Sequence, residues 1–350
     1  MTLLKRGIFI ILITVCGLSL LAYSWTYTAE GRLDLPAAII AKVATLSAEP
    51  LVLDLADVAS ERRKANAQMG AMLRQAPVTD AVTISDLQIP SSGHTMRVRQ
   101  YRPSHTEALP FMLWMHGGGF WMGNQLEDWD GRIAALAADA DIAIFSVDYR
   151  LAPEHPWPAA VDDSYEALLW LYTNADNLGL DAGRIAVGGG SAGGNLAAAV
   201  AIKARDENGP GISVQLLSVP VTDASDTTYP SDSAFAEGYV LTAQNIQAMV
   251  AAYIPNPADR LNPLASPLLA VSHAGLPPAL IITAQYDPLR DEGEAYGEKL
   301  RQAGVPVQVI RYDGAIHGLM GSIGSMRDAH RAQVSLLKQS VGHRRTMLDE

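Results

Sequence analysis

A glycine-rich turn around Ser191 constrains the fold of this chain more than any other stretch. Residues 189–194 read GGSAGG, between the apolar run 184–187 and the alanine-rich run 195–205. That order predicts a strand, a sharp turn and a helix, with small residues where backbone segments must pass closely. Ser191 would stand at the tip of the strand, where the first amides of the helix point towards a developing oxyanion.

Strands and helices alternate on both sides of this turn. Continuous apolar runs, typical of strands buried on both faces, lie at 111–115, 142–147, 214–219, 279–284 and 305–310. Two earlier runs, 83–89 and 95–101, predict an antiparallel pair. Helical spacing marks parts of 30–75, then 165–172, 195–205, 242–253, a stretch ending at 303, and 326–341. The pattern predicts an α/β fold with a mostly parallel central sheet flanked by helices.

Three side chains with complementary chemistry follow predicted strands in the order serine, aspartate, histidine. In open α/β sheets the chemistry gathers at the carboxyl ends of the strands. A serine hydroxyl needs a base within hydrogen-bond reach, and the base needs an orienting carboxylate. We therefore predict Ser191 as nucleophile, His317 as base and Asp287 as the orienting carboxylate. Asp291 is a rival carboxylate, but it falls inside the following predicted helix, one turn from Asp287.

A second glycine cluster ends the strand at 111–115, where residues 116–120 read HGGGF. Glycines leave backbone amides open to an anionic oxygen. The backbone N–H groups of Gly118, Gly119 and Ala192 are therefore predicted to form an oxyanion hole. His116 is interpreted as structural, ordering the loop by a hydrogen bond, because His317 is the better base. Residues 148–154 are interpreted as a buried charge network that braces the loops around the site.

Five motifs together resemble one family. They are HGGGF at 116–120, DYRLAPE at 148–154, GGSAGG at 189–194, DPLRDEG at 287–293 and HG at 317–318. In these motifs the chain resembles the hormone-sensitive-lipase-like branch of the α/β-hydrolases, which includes bacterial carboxylesterases and arylacetamide deacetylases. The resemblance implies an α/β-hydrolase fold, ester hydrolysis through an acyl-enzyme, and no cofactor. Two positions depart from the family pattern: Gly190 replaces the usual Asp, and Leu319 the usual Phe.

The resemblance also implies a helical cap. It would combine an N-terminal segment, 25–75, with an insertion around 222–267, both attached to a catalytic domain over 76–350. The insertion carries the aromatics Phe235, Tyr239 and Tyr253, which suit a lid or pocket wall; an ordinary surface excursion is the alternative. The expected substrate is a small ester with a short-to-medium acyl chain. Two alternatives are an amidase or deacetylase acting on arylamides or acetylated sugars, and a non-catalytic small-molecule binding protein.

The first residues differ in kind from the rest. Lys5 and Arg6 precede an apolar run over 7–23, which predicts a signal peptide or membrane anchor at 1–24 and membrane association through 7–23. The basic flank predicts a catalytic domain outside the cytoplasm, in the periplasm or cell envelope if the source is bacterial. The net charge of −11 disfavours nucleic acid as a partner. The single cysteine, Cys16, excludes an intramolecular disulfide and a cysteine metal site.

Overall fold

A computed structural model describes residues 3–47, 57–74, 76–104 and 107–342, and of residues 3–13 and 47 the backbone alone. Its strands are β1 (Tyr27–Thr28), β2 (Gly31–Arg32), β3 (Val82–Ser91), β4 (His94–Pro103), β5 (Leu109–Met115), β6 (Ala143–Val147), β7 (Leu180–Gly190), β8 (Ile212–Ser218), β9 (Ala279–Tyr286) and β10 (Val307–Ile316). Its helices are α1 (Leu3–Ser24), α2 (Leu35–Ser47), α3 (Val58–Leu73), α4 (Asp130–Ala140), α5 (Ala159–Thr173), α6 (Ala175–Leu178), α7 (Ala192–Asp206), α8 (Pro230–Ala234), α9 (Ala243–Tyr253), α10 (Arg290–Gln302) and α11 (Ile323–Ser340).

Eight of the described strands form one sheet in the order β10-β9-β8-β7-β5-β6-β4-β3. The strands from β5 to β10 pair in parallel, whereas β4 pairs antiparallel with both β3 and β6. The predicted α/β fold with a mostly parallel sheet is confirmed. In the register of β5 and β7, Met115 lies opposite Gly189. The two glycine-rich loops therefore leave the sheet side by side.

Helices cover both faces of the sheet, which explains why its central strands are apolar at successive positions. On one face Leu113 belongs to a buried cluster with Leu196 of α7. On the other face Met112 belongs to a cluster with Ile133 of α4 and Leu337 of α11. Side chains of neighbouring residues on β5 thus enter opposite layers of the core. The sheet is a rigid platform for the loops at its carboxyl edge.

Several elements differ from the sequence expectations. The antiparallel pair β1 and β2 lies near the start of a region in which only helices are predicted, and Gly31, the first residue of β2, has a φ of +125°. The helix α4, which follows β5 in the chain, is not among the predicted helices. Parts of the predicted cap segment 25–75, at 48–56 and 75, lie outside the described residues, as do residues 1–2 of the predicted leader.

Three segments outside the sheet contact loops at the carboxyl ends of its strands. Near α2, Leu33 and Ala37 join a buried cluster with Tyr286 and Ile316, at the ends of β9 and β10. Arg62 of α3 donates to backbone carbonyls of the loops after β5 and β6. The helix α9, from the insertion, stacks on the loop after β5.

No helix in the parts of the chain that the structure describes is long and apolar enough to cross a membrane. The transmembrane prediction for residues 7–23, of which the side chains of 7–13 lie outside the description, therefore finds no support here.

Candidate active site

Ser191 lies at a sharp turn between β7 and α7. Its φ of +56° and ψ of −120° are rare for a residue with a side chain and cost about 1–3 kcal/mol. The backbone N–H of Ser191 donates to the carbonyl of Ser218 at 2.8 Å, which fixes the turn to the end of β8. A Cβ on Gly193 would lie only 2.0 Å from the carbonyl oxygen of Met115. Glycine is required there because α7 starts directly against the end of β5.

The structure brings Ser191, His317 and Asp287 into one hydrogen-bonded chain. The Nε2 atom of His317 lies 3.0 Å from Ser191 Oγ, and its Nδ1 lies 2.7 Å from Asp287 Oδ2. The other oxygen of Asp287 accepts the backbone N–H of Leu289 at 3.0 Å. The Asp287 side chain is only 1% exposed and that of His317 13%, so the chain opens to solvent at the serine end.

Asp291 lies outside this chain. Its carboxylate accepts the backbone N–H of Ser231 at 2.9 Å and pairs with Arg290 at 2.7 Å. Because both oxygens are engaged within the helix start and the insertion, Asp291 does not face the imidazole of His317.

The glycine loop after β5 lies beside the serine. A Cβ on Gly117 would lie 3.6 Å from the Cβ of Ser191. Gly118 and Gly119 have φ values of +126° and +59°, and no hydrogen bond between described residues takes up their amides. Ala192 is the first residue of α7, and the first amides of a helix have no intrahelical acceptor. The three amides predicted for an oxyanion hole are therefore available for a ligand.

His116 is buried behind the glycine loop. Its Nδ1–H donates to the carbonyl of Gly117 at 2.8 Å, and its ring stacks on Tyr149 with centroids 4.2 Å apart. The Tyr149 hydroxyl in turn donates to the His116 carbonyl at 2.8 Å. Burial lowers the pKa of His116 to about 4, so this imidazole is neutral at neutral pH. These contacts fit the interpretation that His116 orders the loop.

Ion pairs connect residues 148–154 to other elements. Asp148 lies 3.2 Å from Arg97 on β4, and Glu154 lies 2.6 Å from Arg62 on α3. Burial raises the pKa of Asp148, and the guanidinium of Arg97 opposes that effect. The network is less buried than the sequence suggests, since the Glu154 side chain is 47% exposed. The sequence alone does not show that Asp148 and Glu154 pair with Arg97 and Arg62.

Two side chains of α9 contact the glycine loop, and sequence reasoning gave them no such contact. The Tyr253 ring stacks on Phe120 with centroids 3.8 Å apart and planes inclined by 6°. A Cβ on Gly119 would lie 2.3 Å from the Sδ atom of Met249, so the thioether rests on that glycine. In the sequence, Met249 and Tyr253 are an i, i+4 pair on a predicted helix of the insertion. This spacing places both side chains on one face of the helix but does not show what that face contacts.

Known proteins resemble this chain over most of its length. A family model described as the alpha/beta hydrolase fold matches residues 112–321. The carboxylic ester hydrolase LipN of Mycobacterium tuberculosis is 45% identical over 246 residues, which are 68% of this chain and 65% of the relative. An ethyl acetate hydrolase of Pseudomonas putida is 39% identical over 265 residues, 74% of this chain and 83% of the relative.

Among solved structures, an esterase of Pyrobaculum calidifontis is 38% identical, with a TM-score of 0.79, over 87% of this chain and 98% of the other. The matched range 112–321 contains both glycine loops, Asp287 and His317. The chain belongs to the alpha/beta hydrolase family. Within that family, its relatives place it on the hormone-sensitive-lipase-like branch.

Proposed function

We propose that this protein hydrolyses carboxylic esters of short-to-medium acyl chains through an acyl-enzyme formed on Ser191. The observation that carries the proposal is the hydrogen-bonded chain from Ser191 through His317 to Asp287, beside three amides that donate to no described residue. The relatives are esterases, and the chain is a carboxylic ester hydrolase.

The first half of the reaction forms the acyl-enzyme. Ser191 Oγ attacks the ester carbonyl while its proton passes to His317 Nε2. The carbonyl oxygen becomes an oxyanion, which the amides of Gly118, Gly119 and Ala192 stabilise. Asp287 accepts the Nδ1–H of His317 and stabilises the imidazolium. Collapse of the intermediate breaks the bond to the alcohol, and His317 Nε2 returns the proton to the leaving oxygen.

The second half releases the acid. A water molecule gives a proton to His317 Nε2 and attacks the acyl carbonyl, and the same amides hold the second oxyanion. Collapse returns the proton to Ser191 Oγ. The Leu289 amide keeps Asp287 in place throughout, because it holds the carboxylate oxygen that His317 does not use.

The substrate class separates this proposal from the amidase and deacetylase alternative. Both reactions use the same hydrogen-bonded chain, so the geometry of the site does not distinguish ester hydrolysis from amide hydrolysis. The ethyl acetate hydrolase of Pseudomonas putida supports a short acyl group. Rates on p-nitrophenyl esters from acetate to palmitate, compared with p-nitroanilides of the same acids, test this choice. Turnover of the anilides that exceeds turnover of the esters would overturn it.

Substitution of the nucleophile tests the mechanism. Ser191→Ala removes the attacking oxygen, and we expect kcat to fall by about 10³-fold or more while the fold is kept. His317→Ala should cause a loss of similar size, because the two residues act as one unit. His330→Gln is the matched control, since His330 pairs with Asp139 on the outer surface. Near-normal ester turnover by the Ser191→Ala variant would contradict the mechanism.

A location outside the cytoplasm, in contact with a membrane, is proposed from the first 47 residues. The basic pair at 5–6 and the apolar run 7–23 support export. Exposed apolar side chains on the described parts of α1 and α2 support contact with lipid; they include Leu18, Leu21, Leu35, Ile39 and Leu46. Fractionation of cells producing the full chain, or a variant without residues 1–24, tests the location. Full-length protein found only in the cytosolic fraction would overturn it.

A further inference from the structure

The loop that carries the amides of Gly118 and Gly119 has an unusual backbone. Three consecutive residues have positive φ values, +126° at Gly118, +59° at Gly119 and +65° at Phe120. Glycine adopts such angles freely, whereas a bulky residue does so only when its surroundings hold it there. The φ values of Gly118 and Gly119 help to set the direction of their amides, and Phe120 is joined directly to Gly119. A contact that holds Phe120 in place therefore also restrains the loop that carries the two amides.

The contacts of Phe120 come from two distant parts of the chain. Its carbonyl accepts the backbone N–H of Ala152 at 2.9 Å. Its ring is buried and lies against the ring of Tyr253, with 3.8 Å between centroids. Tyr253 is the last residue of α9. One turn earlier, Met249 rests on Gly119. The helix α9 thus contacts two successive residues of the loop.

We propose that Tyr253 is a positioning residue for ester hydrolysis: its ring holds Phe120, and through it the amides of Gly118 and Gly119, in the geometry that binds the oxyanion. The inference rests on the proposed function. It gives the insertion that carries α9 a role in the chemical step as well as in covering the site. The amides meet a full negative charge only in the transition state, so their loss lowers kcat more than it raises KM.

The hydroxyl of Tyr253 is not part of this role. Its Oη atom is buried and has no hydrogen-bond partner among the described residues. Burial raises the pKa of Tyr253, so the group stays protonated. The ring alone makes the contact with Phe120. Tyr253→Phe therefore keeps the positioning contact, whereas Tyr253→Leu removes it.

Tyr296 offers a matched control within the same chain. It is fully buried in α10. It packs edge to face on His273, with centroids 5.5 Å apart. Tyr296→Leu therefore removes a buried tyrosine ring of the same size, but one that does not contact Gly118 or Gly119.

The experiment measures kcat and KM for p-nitrophenyl butyrate, and the inhibition constant of a trifluoromethyl ketone that forms a tetrahedral oxyanion adduct. Measurements are made at a temperature where thermal melting shows every variant to be folded. For Tyr253→Leu we expect kcat to fall about 10- to 100-fold, with KM changed less than about threefold. The inhibition constant should rise in parallel. Tyr253→Phe and Tyr296→Leu should both keep kcat within about threefold of the wild type.

Each outcome is decisive. An unchanged kcat for Tyr253→Leu, a change in KM alone, or an equal kcat loss in Tyr296→Leu would overturn the positioning role. Labelling of Ser191 by a fluorophosphonate in the wild type separates the two proposals. If the wild type is neither labelled nor active on esters, the proposed function fails; if it is both and Tyr253→Leu is unaffected, only the positioning role fails.

Discussion

At the scale of single residues, the turn at Ser191 depends on which glycines have room for a side chain. A Cβ on Gly193 would lie 2.0 Å from the Met115 carbonyl oxygen, whereas the nearest atom to a Cβ on Gly190 is the Ser218 carbonyl oxygen at 3.8 Å. Gly190 also lacks a left-handed φ. The position where the family usually has Asp is thus sterically open in this chain.

This contrast predicts opposite effects of the same substitution. Gly190→Ala should raise the free energy of unfolding by about 0.4–1 kcal/mol, because it restricts the unfolded chain at a compatible site. Gly193→Ala should lower it by about 3 kcal/mol or more, because the backbone of β5 must move. Urea denaturation of both variants measures the difference. A destabilised Gly190→Ala variant would show that the turn is tighter than the distances indicate.

His116 predicts an acid-sensitive component of stability. Its pKa is lowered to about 4 in the folded state, against about 6.5 in an unfolded chain. The contribution is therefore complete above pH 6.5 and is lost as the pH falls from there towards 4. The loss reaches about 2 kcal/mol at pH 5. His116→Asn should show a smaller decrease in unfolding free energy between pH 7.5 and 5 than the wild type. Identical decreases would contradict the assignment.

At the scale of elements, the sequence predicted the strands well because full burial leaves a continuous apolar run. The run 279–284 became β9 (Ala279–Tyr286), and 111–115 became β5 (Leu109–Met115). Ser191, Asp287 and His317 could be predicted as site residues because each follows such a run. The pairing of Arg62 with Glu154 and the stack of Tyr253 on Phe120 could not, since both depend on how distant segments cross the strand ends.

Arg62 is one of the residues that attach α3 to the loops after β5 and β6. Its guanidinium donates to the carbonyls of Trp121 and Ala152 at 2.6 and 2.9 Å, and it pairs with Glu154. Arg62→Ala should cost about 1–3 kcal/mol, because it leaves two carbonyls without their donor. Glu154→Ala should cost less than about 1 kcal/mol, because that carboxylate is half exposed. Equal losses in thermal or urea unfolding would mean that Arg62 stabilises the fold through the ion pair rather than through the carbonyl bonds.

At the scale of the whole molecule, the N-terminal segment packs against the strand ends that carry Asp287 and His317. Leu33, Ala37 and Ala38 pack against Tyr286 and Ile316, and these two residues directly precede Asp287 and His317 in the chain. The resemblance implied that the helices before the sheet belong to a cap. The buried face of α2 contributes to a core, and its opposite face, at Ile39, is 38% exposed.

The two faces of α2 therefore predict different consequences for the same added charge. Ala37 is fully buried, so Ala37→Glu places a carboxylate among apolar groups. It should lower the free energy of unfolding by about 3 kcal/mol or more, and kcat should fall as the ends of β9 and β10 shift. Ile39→Glu should leave both quantities near the wild-type values in detergent-free buffer, because the charge stays in water. Thermal unfolding and p-nitrophenyl butyrate turnover of the two variants measure this difference. If Ala37→Glu lost stability but kept kcat, the cluster would support the fold without influencing the positions of Asp287 and His317.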